Sequence, residues 1–311
     1  MIHSPANKKP FSLPRLGLGT WPFGGGYDWG ELAEDTARQI IEAALADGVS
    51  LLDTAPVYGQ GRSEQILGRW LGPHRQRLLL AGKCGLVKNG SWTDHDLRPS
   101  TIRRQLEETL ANLKTDYLDL YQIHYPDPHV PLSQAVAELA RLQTAGKIRA
   151  IGLCNVSAAQ IKEAVQVAPI FSVQNEFSLL HRQQAEAVLE ICREQNISFI
   201  GYGVLCGGIL SGKYATAPNL RRADARNYFY KCYRGEAFER AQLTVARVRE
   251  LAAQKKCAPS SVAIAWALAR PGVSCVLFGA RQVAQVSQNT AGAQLVLSSQ
   301  ELLFLEGDHA N

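Results

Sequence analysis

The chain has 311 residues, of which 46% are apolar and 20% charged, and its 33 lysines and arginines exceed its 28 acidic residues by a formal net charge of +5. This composition is typical of a globular protein and excludes a disordered, collagen-like or coiled-coil chain. Because the charge excess is small and dispersed, we expect no nucleic acid partner. The apolar runs are too short and too interrupted to predict a signal peptide or a membrane span.

Cysteine and histidine usage indicates a reducing compartment. The seven cysteines are odd in number and include no Cys-x-x-Cys pair, so they predict neither a disulfide framework nor a zinc site and favour a cytoplasmic protein. His74, His95, His129 and His181 lack the spacing of metal ligands. No metal is therefore predicted.

Eight short apolar runs alternate with amphipathic stretches along the chain, and we interpret each run as a buried strand. The runs are Leu16 to Gly19, Leu51 to Asp53, Leu78 to Lys83, Tyr117 to His124, Ala150 to Cys154, Phe171 to Asn175, Ser198 to Tyr202 and Ser274 to Phe278. Each gap between runs has room for a helix, as a crossover between parallel strands requires. Eight such units predict an α/β protein with a closed (β/α)8 TIM barrel. An open doubly wound sheet has the same periodicity and is the alternative.

The predicted barrel forms a single domain over residues 1–311, with flexible ends at about 1–9 and 307–311. Its early glycines, from Gly17 to Gly26, do not have the Gly-x-Gly-x-x-Gly spacing of a Rossmann domain. A dinucleotide would therefore have to be held in another way.

Helix signals lie between the runs. Apolar residues three and four positions apart from Ile102 to Leu113 predict a helix that Ser100 caps, and Ser157 with Gln160 predicts a capping box. A further apolar helix is expected to end at Pro271.

One interval, between Tyr202 and Ser274, is much longer than the others. It has room for an additional helix from about Glu236 to Lys256 and for a long loop. In a barrel, this loop would cover the C-terminal mouth.

Ionisable side chains stand where three of the early strands end. Asp53 closes the second run and Tyr58 follows it, Lys83 closes the third run, and His124 closes the fourth. A parallel barrel gathers the carboxyl ends of its strands at one mouth, where catalytic groups lie. The four side chains are therefore predicted to meet there.

This set of side chains suits proton transfer to a carbonyl group. A phenol has a pKa of about 10, and a nearby ammonium ion favours its ionised form, while a carboxylate keeps the lysine charged. Tyr58, assisted by Lys83 and Asp53, is predicted to be the general acid, and His124 to donate a hydrogen bond to the same oxygen. No nucleophile accompanies them, which a hydride-donating nicotinamide cofactor would explain. Taken alone, Lys83 also suits a Schiff base, as in barrel aldolases.

The Asp-Thr-Ala-x-x-Tyr-Gly motif at 53–59, followed by Lys83 and His124, resembles the aldo-keto reductase family. The resemblance covers nearly the whole chain, from the Leu-Gly-Leu-Gly-Thr-Trp segment at 16–21 to Asn289. It implies that NADPH (NADP+) lies extended across the barrel mouth without a Rossmann fold.

Within that family, the segments Tyr58 to Glu64 and Leu210 to Tyr214 look most like a bacterial branch. This branch is related to potassium-channel β subunits and to inositol-utilisation reductases.

The family resemblance also implies cofactor contacts. Asn155 and Gln174 would bind the carboxamide, Tyr202 would stack on the nicotinamide ring, Lys213 would follow the pyrophosphate, and Arg281 would meet the 2′-phosphate of the adenosine. The full implied set is Thr20, Trp21, Asp53, Cys154, Asn155, Gln174, Tyr202, Gly203, Val204, Leu205, Cys206, Gly207, Lys213, Gly279, Arg281, Gln285 and Asn289.

The arginines of this region also suit phosphate binding on physical grounds. Arg281 would stand at the start of a helix that begins near Gln282, so a guanidinium and a helix N-terminus would together favour NADPH over NADH. Arg221, Arg222 and Arg226 in the long interval would clamp the pyrophosphate.

Aromatic residues near the tetrad suggest a substrate pocket. Its predicted members are Trp21, Tyr58, Trp92, His124 and Tyr125. Trp92 alternatively serves only to anchor a loop.

Together these features predict a cytoplasmic, NADPH-dependent reductase of aldehydes or ketones that acts on a small-molecule carbonyl substrate, without a nucleic acid or membrane partner. One alternative is a lyase or aldolase that uses a Lys83 Schiff base. Another is a non-enzymatic NADPH-binding redox sensor or partner subunit.

Overall fold

The computed structural model describes residues 9–90 and 92–307. The predicted flexible ends therefore lie, except for their innermost residues, outside the described residues. The strands are β1 (Leu16–Gly19), β2 (Leu51–Asp53), β3 (Leu79–Cys84), β4 (Leu86–Asn89), β5 (Trp92–His95), β6 (Leu118–Ile123), β7 (Ile148–Cys154), β8 (Ser172–Glu176), β9 (Ser198–Tyr202) and β10 (Val273–Phe278).

Helices separate most of these strands. The α-helices are α1 (Gly26–Trp29), α2 (Glu34–Ala46), α3 (Arg62–Trp70), α4 (Pro99–Leu113), α5 (Leu132–Thr144), α6 (Ala158–Ala164), α7 (Glu186–Glu194), α8 (Arg226–Phe229), α9 (Gly235–Gln254), α10 (Pro259–Ala269), α11 (Ala284–Thr290) and α12 (Ser299–Glu306). Short 3-10 helices cover Trp21–Gly24, Gly72–Arg77, Gln183–Ala185, Cys206–Ser211, Lys231–Tyr233 and Ala291–Ala293. Within the described ranges, no helix is both long and apolar enough to cross a membrane.

Eight parallel strands close into a barrel in the order β1-β10-β9-β8-β7-β6-β3-β2. Closure is visible at β1, which pairs with β2 through Leu18 and Leu52 and with β10 through Leu18 and Phe278. The predicted (β/α)8 barrel is confirmed, the open sheet is excluded, and each predicted run matches a barrel strand to within two residues.

The barrel interior is filled by a small apolar cluster below the mouth. Its buried members are Leu51, Ala81, Leu120, Ala150, Phe171, Ile200, Cys275 and Leu277. Because alternate residues of a strand face the same side, Asp53 lies above Leu51 and Lys83 above Ala81. The interior packing therefore supports the first two ionisable groups of the predicted site from below.

Of the two predicted helix caps, one is present in the structure and the other is not. Ser157 caps α6 as predicted, since its hydroxyl accepts from the Gln160 amide at 3.3 Å and its own amide donates to Gln160 Oε1 at 2.9 Å. The prediction that Ser100 caps α4 is wrong. The fixed φ of Pro99 suits the first turn of a helix, so α4 begins before Ser100.

Two loops meet over the C-terminal mouth: the β1 loop (residues 20–33) and the long loop (residues 203–234). The amide of Ala225 donates to the carbonyl of Asp28 at 2.8 Å, which joins them. The prediction that the long interval covers the mouth is confirmed. The antiparallel hairpin β4-β5 beside the mouth was not predicted.

Candidate active site

The structure brings the four predicted catalytic side chains together at the mouth. Lys83 is fully buried, and its Nζ lies 2.5 Å from Asp53 Oδ1, 3.1 Å from Tyr58 Oη and 3.1 Å from the carbonyl oxygen of Thr54. The His124 ring meets the Tyr58 ring edge-on, with ring centres 5.9 Å apart. Strand ends β2, β3 and β6 thus converge as the barrel topology requires.

Asp53 is held by hydrogen bonds on both carboxylate oxygens. In addition to Lys83 on Oδ1, the amides of Gln122 and Gln174 donate to Oδ2 at 3.2 and 2.9 Å. The hydroxyl of Thr20 donates to the Asp53 carbonyl at 2.8 Å. These bonds fix the carboxylate, and through it the orientation of the lysine.

Two glycines allow the Tyr58 loop to reach its position. Gly59 has a φ of +65°, and a Cβ on it would lie 2.2 Å from the Gly24 carbonyl oxygen. Such an approach excludes any side chain. The glycine that ends the Asp-Thr-Ala-x-x-Tyr-Gly motif therefore allows the backbone of the Tyr58 loop to pack directly against the β1 loop.

Burial controls the protonation of Tyr58. Its dense surroundings raise the pKa of the phenol above the ordinary value, and the charge of Lys83 opposes this shift only in part. The ammonium ion favours the ionised phenol, as expected from the sequence, but burial outweighs it. Tyr58 is a protonated phenol at neutral pH.

Lys83 is charged, whereas His124 is neutral. Burial alone lowers the pKa of Lys83, but Asp53 and Tyr58 raise it, so that the net shift is upward and the amine stays an ammonium ion. Burial lowers the pKa of His124 well below its usual value, and the charge of Lys83 lowers it further. The imidazole is therefore neutral at physiological pH.

A second chain of hydrogen bonds orders the wall opposite Tyr58. The Asn155 amide donates to the His124 carbonyl at 2.8 Å, and the Tyr202 hydroxyl donates to Asn155 Oδ1 at 2.7 Å. Asn155 takes a left-handed φ of +57° to make these contacts, a conformation that asparagine tolerates.

A single cleft of about 1810 Å³ opens above these residues and extends to the loop after β10. This volume exceeds the usual range for a small-molecule site, roughly 300–1,000 Å³, and accommodates a dinucleotide beside a small substrate. Predicted residues that line it are Trp21, Asp53, Tyr58, His124, Tyr125, Asn155, Gln174, Tyr202, Gly203, Val204, Leu205, Gly207, Lys213, Gly279, Arg281, Gln285 and Asn289.

Four predicted binding residues do not line the cleft. Thr20 and Cys154 are fully buried behind it, and Cys206 is turned away from it and lies 3.0 Å, Sγ to Oγ, from Ser178. Trp92 is 77% exposed on the hairpin strand β5 and lies outside the cleft wall. The spacing of these residues in the chain gave no indication of which way their side chains would turn.

The far end of the cleft is strongly cationic. Arg281 is half-buried there, and its guanidinium donates to the backbone carbonyls of Trp29 and of Glu31 in the β1 loop. Burial lowers the pKa of Arg281, and the nearby charges of Arg226 and Arg221 lower it further. An anion bound here would relieve this repulsion.

Two predictions about this end need correction. The helix expected to begin near Gln282 begins at Ala284 and has only seven residues, so Arg281 lies before it in an irregular turn. Arg222 is exposed and does not line the cleft, whereas Arg221 and Arg226 do.

Sequence reasoning missed several residues of the cleft. Gln122 is fully buried behind the cleft wall, where it holds Asp53. It precedes His124 by two residues, so the alternation of the strand was the signal that could have found it. Asp28, Trp29 and Phe229 come from loops: Trp21 donates from Nε1 to Asp28 Oδ2 at 3.0 Å and packs edge-on against Phe229, with ring centres 4.9 Å apart.

The residues present fit a bound dinucleotide. Two buried polar atoms on residues of the cleft wall, Trp29 Nε1 and Glu176 Oε1, have no hydrogen-bond partner within the described residues, and buried polar atoms are rarely left unpaired. The backbone at Gly207 has a φ of +64°, and a Cβ there would lie 2.9 Å from Arg226, so only glycine permits this close loop.

Comparison with known proteins agrees with the geometry. The sequence profile of the Aldo/keto reductase family matches residues 15–306. The chain is 38% identical to the aldo-keto reductase YhdN of Bacillus subtilis, over 88% of this chain and 82% of that protein. It is 32% identical to the NADH-specific methylglyoxal reductase of Escherichia coli, over 97% and 96%.

Solved structures give the same result. The glycerol dehydrogenase of Gluconobacter oxydans superposes with a TM-score of 0.85 at 34% identity, over 93% of this chain and 89% of that one. An aldo-keto reductase of Bacillus halodurans in its holo form superposes with a TM-score of 0.76 at 25% identity, over 94% and 91%. The chain belongs to the aldo/keto reductase family, whose members are oxidoreductases that use a nicotinamide cofactor and act on small carbonyl compounds.

Proposed function

We propose that the protein is an NADPH-dependent reductase of aldehydes or ketones in which Tyr58 is the general acid. The observation that carries this proposal is the contact of the Tyr58 phenol with the buried Lys83–Asp53 pair on the wall of a cleft large enough for a dinucleotide. Tyr58 is half-buried and lines the cleft. The subgroup assignment within the family stays a prediction.

The protein's contribution to the reaction is proton delivery. When bound, the cofactor supplies the hydride that reduces the carbonyl carbon. Tyr58, protonated at neutral pH, gives its proton to the carbonyl oxygen. The Lys83 ammonium, 3.1 Å from the phenol oxygen, then stabilises the phenolate that remains.

His124 has a supporting role in this scheme. Because burial keeps its imidazole neutral, it has one N–H to donate and adds no positive charge to compete with Lys83. A hydrogen bond from that N–H to the carbonyl oxygen would orient the substrate toward Tyr58. Trp21, Tyr125 and Phe229 give the surrounding wall its aromatic character.

The geometry does not favour the Schiff-base alternative. Schiff-base chemistry needs a neutral amine with a free lone pair. All three hydrogens of the Lys83 ammonium are engaged, by Asp53, Thr54 and Tyr58, and its pKa is raised. Lys83 is a positioning cation in this proposal.

The cationic end of the cleft supports NADPH as the cofactor. Arg281, Arg221 and Arg226 all line this end of the cleft, and within the described residues only Arg226 is paired with a carboxylate, Asp224, which suits the extra 2′-phosphate of NADPH. The Escherichia coli relative is NADH-specific by name, so nucleotide preference varies among relatives at this level of identity. The two nucleotides therefore have to be compared directly.

The test is oxidation of NADPH with a panel of aldehydes, ketones and sugars, including methylglyoxal, and the reverse reaction with glycerol. Tyr58→Phe is expected to lower turnover by about two orders of magnitude or more, the usual contribution of a general acid, with cofactor affinity retained. Tyr117→Phe, at the opposite end of the barrel, is the matched control. Wild-type turnover in Tyr58→Phe would overturn the mechanism. Tight NADPH binding without turnover of any carbonyl would instead support the redox-sensor alternative.

A further inference from the structure

A cluster of three metal-ligating side chains lies beside the cleft, outside the proposed catalytic machinery. His181 stands in the turn after β8, Cys206 near the start of the long loop, and Cys232 near its end. One ligand atom from each of the three, a ring nitrogen and two sulfurs, lies within 4.8 Å of the other two. The residues are far apart in the chain, and only the folded barrel brings them together.

The cluster is enclosed and one of its polar atoms is unpaired. Cys206 is 0% and Cys232 6% exposed, and His181 is half-buried. The Nε2 atom of His181 is buried and has no hydrogen-bond partner among the residues that the structure describes. A buried imidazole nitrogen without a partner is costly, which a ligand at this position would remedy.

The surrounding residues hold Cys206 in an unusual conformation. Its φ is +46°, in the left-handed region that a residue other than glycine rarely adopts. The Tyr233 hydroxyl donates to the Cys206 carbonyl at 3.0 Å, and Ser178 Oγ lies 3.0 Å from its sulfur. Such outer contacts are those that orient the ligands of a metal centre.

We propose that His181, Cys206 and Cys232 form a binding site for a soft divalent cation, with Zn²⁺ as the preferred ion. Thiolate and imidazole are the ligands that Zn²⁺ takes in tetrahedral sites, with bonds of about 2.3 Å to sulfur and 2.0–2.1 Å to nitrogen. Ligand atoms in such a site lie roughly 3.5–3.8 Å apart, so no pair of the three atoms has to approach by more than about 1 Å. Water completes the fourth position.

Charge balance favours this ion in an enclosed place. Binding releases the two thiol protons to solvent, so the divalent ion, two thiolates and a neutral imidazole have no net charge. A neutral centre avoids the large cost of burying an unpaired charge. A disulfide between Cys206 and Cys232 would use only the sulfurs and would leave the imidazole nitrogen of His181 unpaired.

The site would connect three segments of the barrel rim. It would tie both ends of the long loop to the turn after β8, and Gly203 and Gly207, which flank Cys206, line the cleft. The proposal does not depend on the reductase function, because it rests on three side chains that are not needed for proton transfer.

The test is metal titration of the full chain, freed of metals by chelation and kept reduced. Co²⁺ serves as the spectroscopic probe, because its thiolate complexes absorb in the near-ultraviolet by charge transfer and its tetrahedral complexes absorb strongly in the visible. We expect one Co²⁺ per chain with both absorptions, and displacement by one equivalent of Zn²⁺. Cys232→Ser should abolish the charge-transfer band or reduce it by about half, and His181→Asn should weaken Co²⁺ affinity at least about tenfold.

A control variant and a thiol assay separate this site from adventitious binding. Cys257→Ser removes a partly exposed thiol outside the cluster and should leave stoichiometry and spectrum unchanged. Circular dichroism establishes that each variant is folded. A wild-type spectrum without thiolate bands, or bands that persist unchanged in folded Cys232→Ser, would overturn the proposal. So would rapid formation of a Cys206–Cys232 disulfide, by mass spectrometry, in a chain that binds no metal.

Discussion

The two ends of the cleft are built in different ways. At the reaction end, Asp53 and Lys83 come from strand ends, are buried, and bond to each other. At the nucleotide end, Arg221 and Arg281 come from loops and are exposed or half-buried, and Arg281 donates to backbone carbonyls. The barrel thus fixes the reaction end before any ligand arrives, whereas the nucleotide end depends on how the β1 loop and the long loop lie. Substitution of the buried ion pair should therefore lower mainly the stability of the fold, whereas substitution of the arginines should lower mainly the affinity for the nucleotide.

The largest effect is expected at Lys83. Lys83→Met leaves the Asp53 carboxylate buried without its cation, and removal of one partner of a buried pair costs about 3–5 kcal/mol. We expect the free energy of unfolding, measured by urea denaturation, to fall by that amount. Adding Asp53→Asn should recover part of the loss, because the unpaired charge is then removed.

The control for this experiment is a lysine in an exposed ion pair. Lys147 pairs with Glu107 at 3.3 Å on the surface, so Lys147→Met should change the free energy of unfolding by less than about 1 kcal/mol. Equal losses at Lys83 and Lys147 would mean that the reaction end is not preorganised.

The nucleotide end should respond in affinity instead. Arg281→Ala removes a guanidinium that we expect to meet the 2′-phosphate, and a hydrogen bond to a charged group contributes about 1.5–3 kcal/mol. The Kd for NADPH, measured by fluorescence titration, should rise roughly 10- to 150-fold, while the Kd for NADH stays unchanged.

Arg222 provides the matched control, because it is an exposed arginine of the long loop that lies outside the cleft wall. Arg222→Ala should leave both Kd values unchanged. A parallel loss of NADH affinity in Arg281→Ala would show that the arginine acts on the pyrophosphate or on the loops rather than on the 2′-phosphate.

The same contrast explains what the sequence could predict. The strands were predictable because their runs are local and repeat, and the tetrad followed because a parallel barrel places successive strand ends such as Asp53 and Lys83 at one mouth. Gly59 could be recognised from the sequence as part of the motif. Why a glycine is required there, namely its close contact with Gly24, is apparent only from the folded structure.

Loop geometry was not predictable in this way. Whether a loop residue such as Cys206 or Trp92 faces the cleft depends on backbone angles that no periodicity encodes. Contacts such as that of Ala225 with Asp28 join segments that are remote in the chain. Sequence motifs relate only residues that are a few positions apart, so they do not predict such contacts. The gathering of His181, Cys206 and Cys232 escaped the sequence analysis for the same reason.

The smallest predicted effect tests the burial of His124 through pH. Its pKa is lowered in the folded protein, so the unfolded chain binds a proton below about pH 6.5 that the folded chain does not. The buried, neutral His124 therefore makes its full contribution to the free energy of unfolding above that pH. This contribution is lost as the pH falls, with a limiting slope of about 1.4 kcal/mol per pH unit.

His124→Gln keeps a neutral side chain at every pH and should flatten that part of the stability profile, whereas His129→Gln in an exposed loop should not. Burial raises the pKa values of Glu64 and Glu176, and these groups contribute with the opposite sign. The informative quantity is therefore the difference in free energy of unfolding between wild type and variant from pH 8 to pH 5. A constant difference would mean that His124 takes up its proton in the folded protein, and the neutral hydrogen-bond donor proposed for the reaction end would then be wrong.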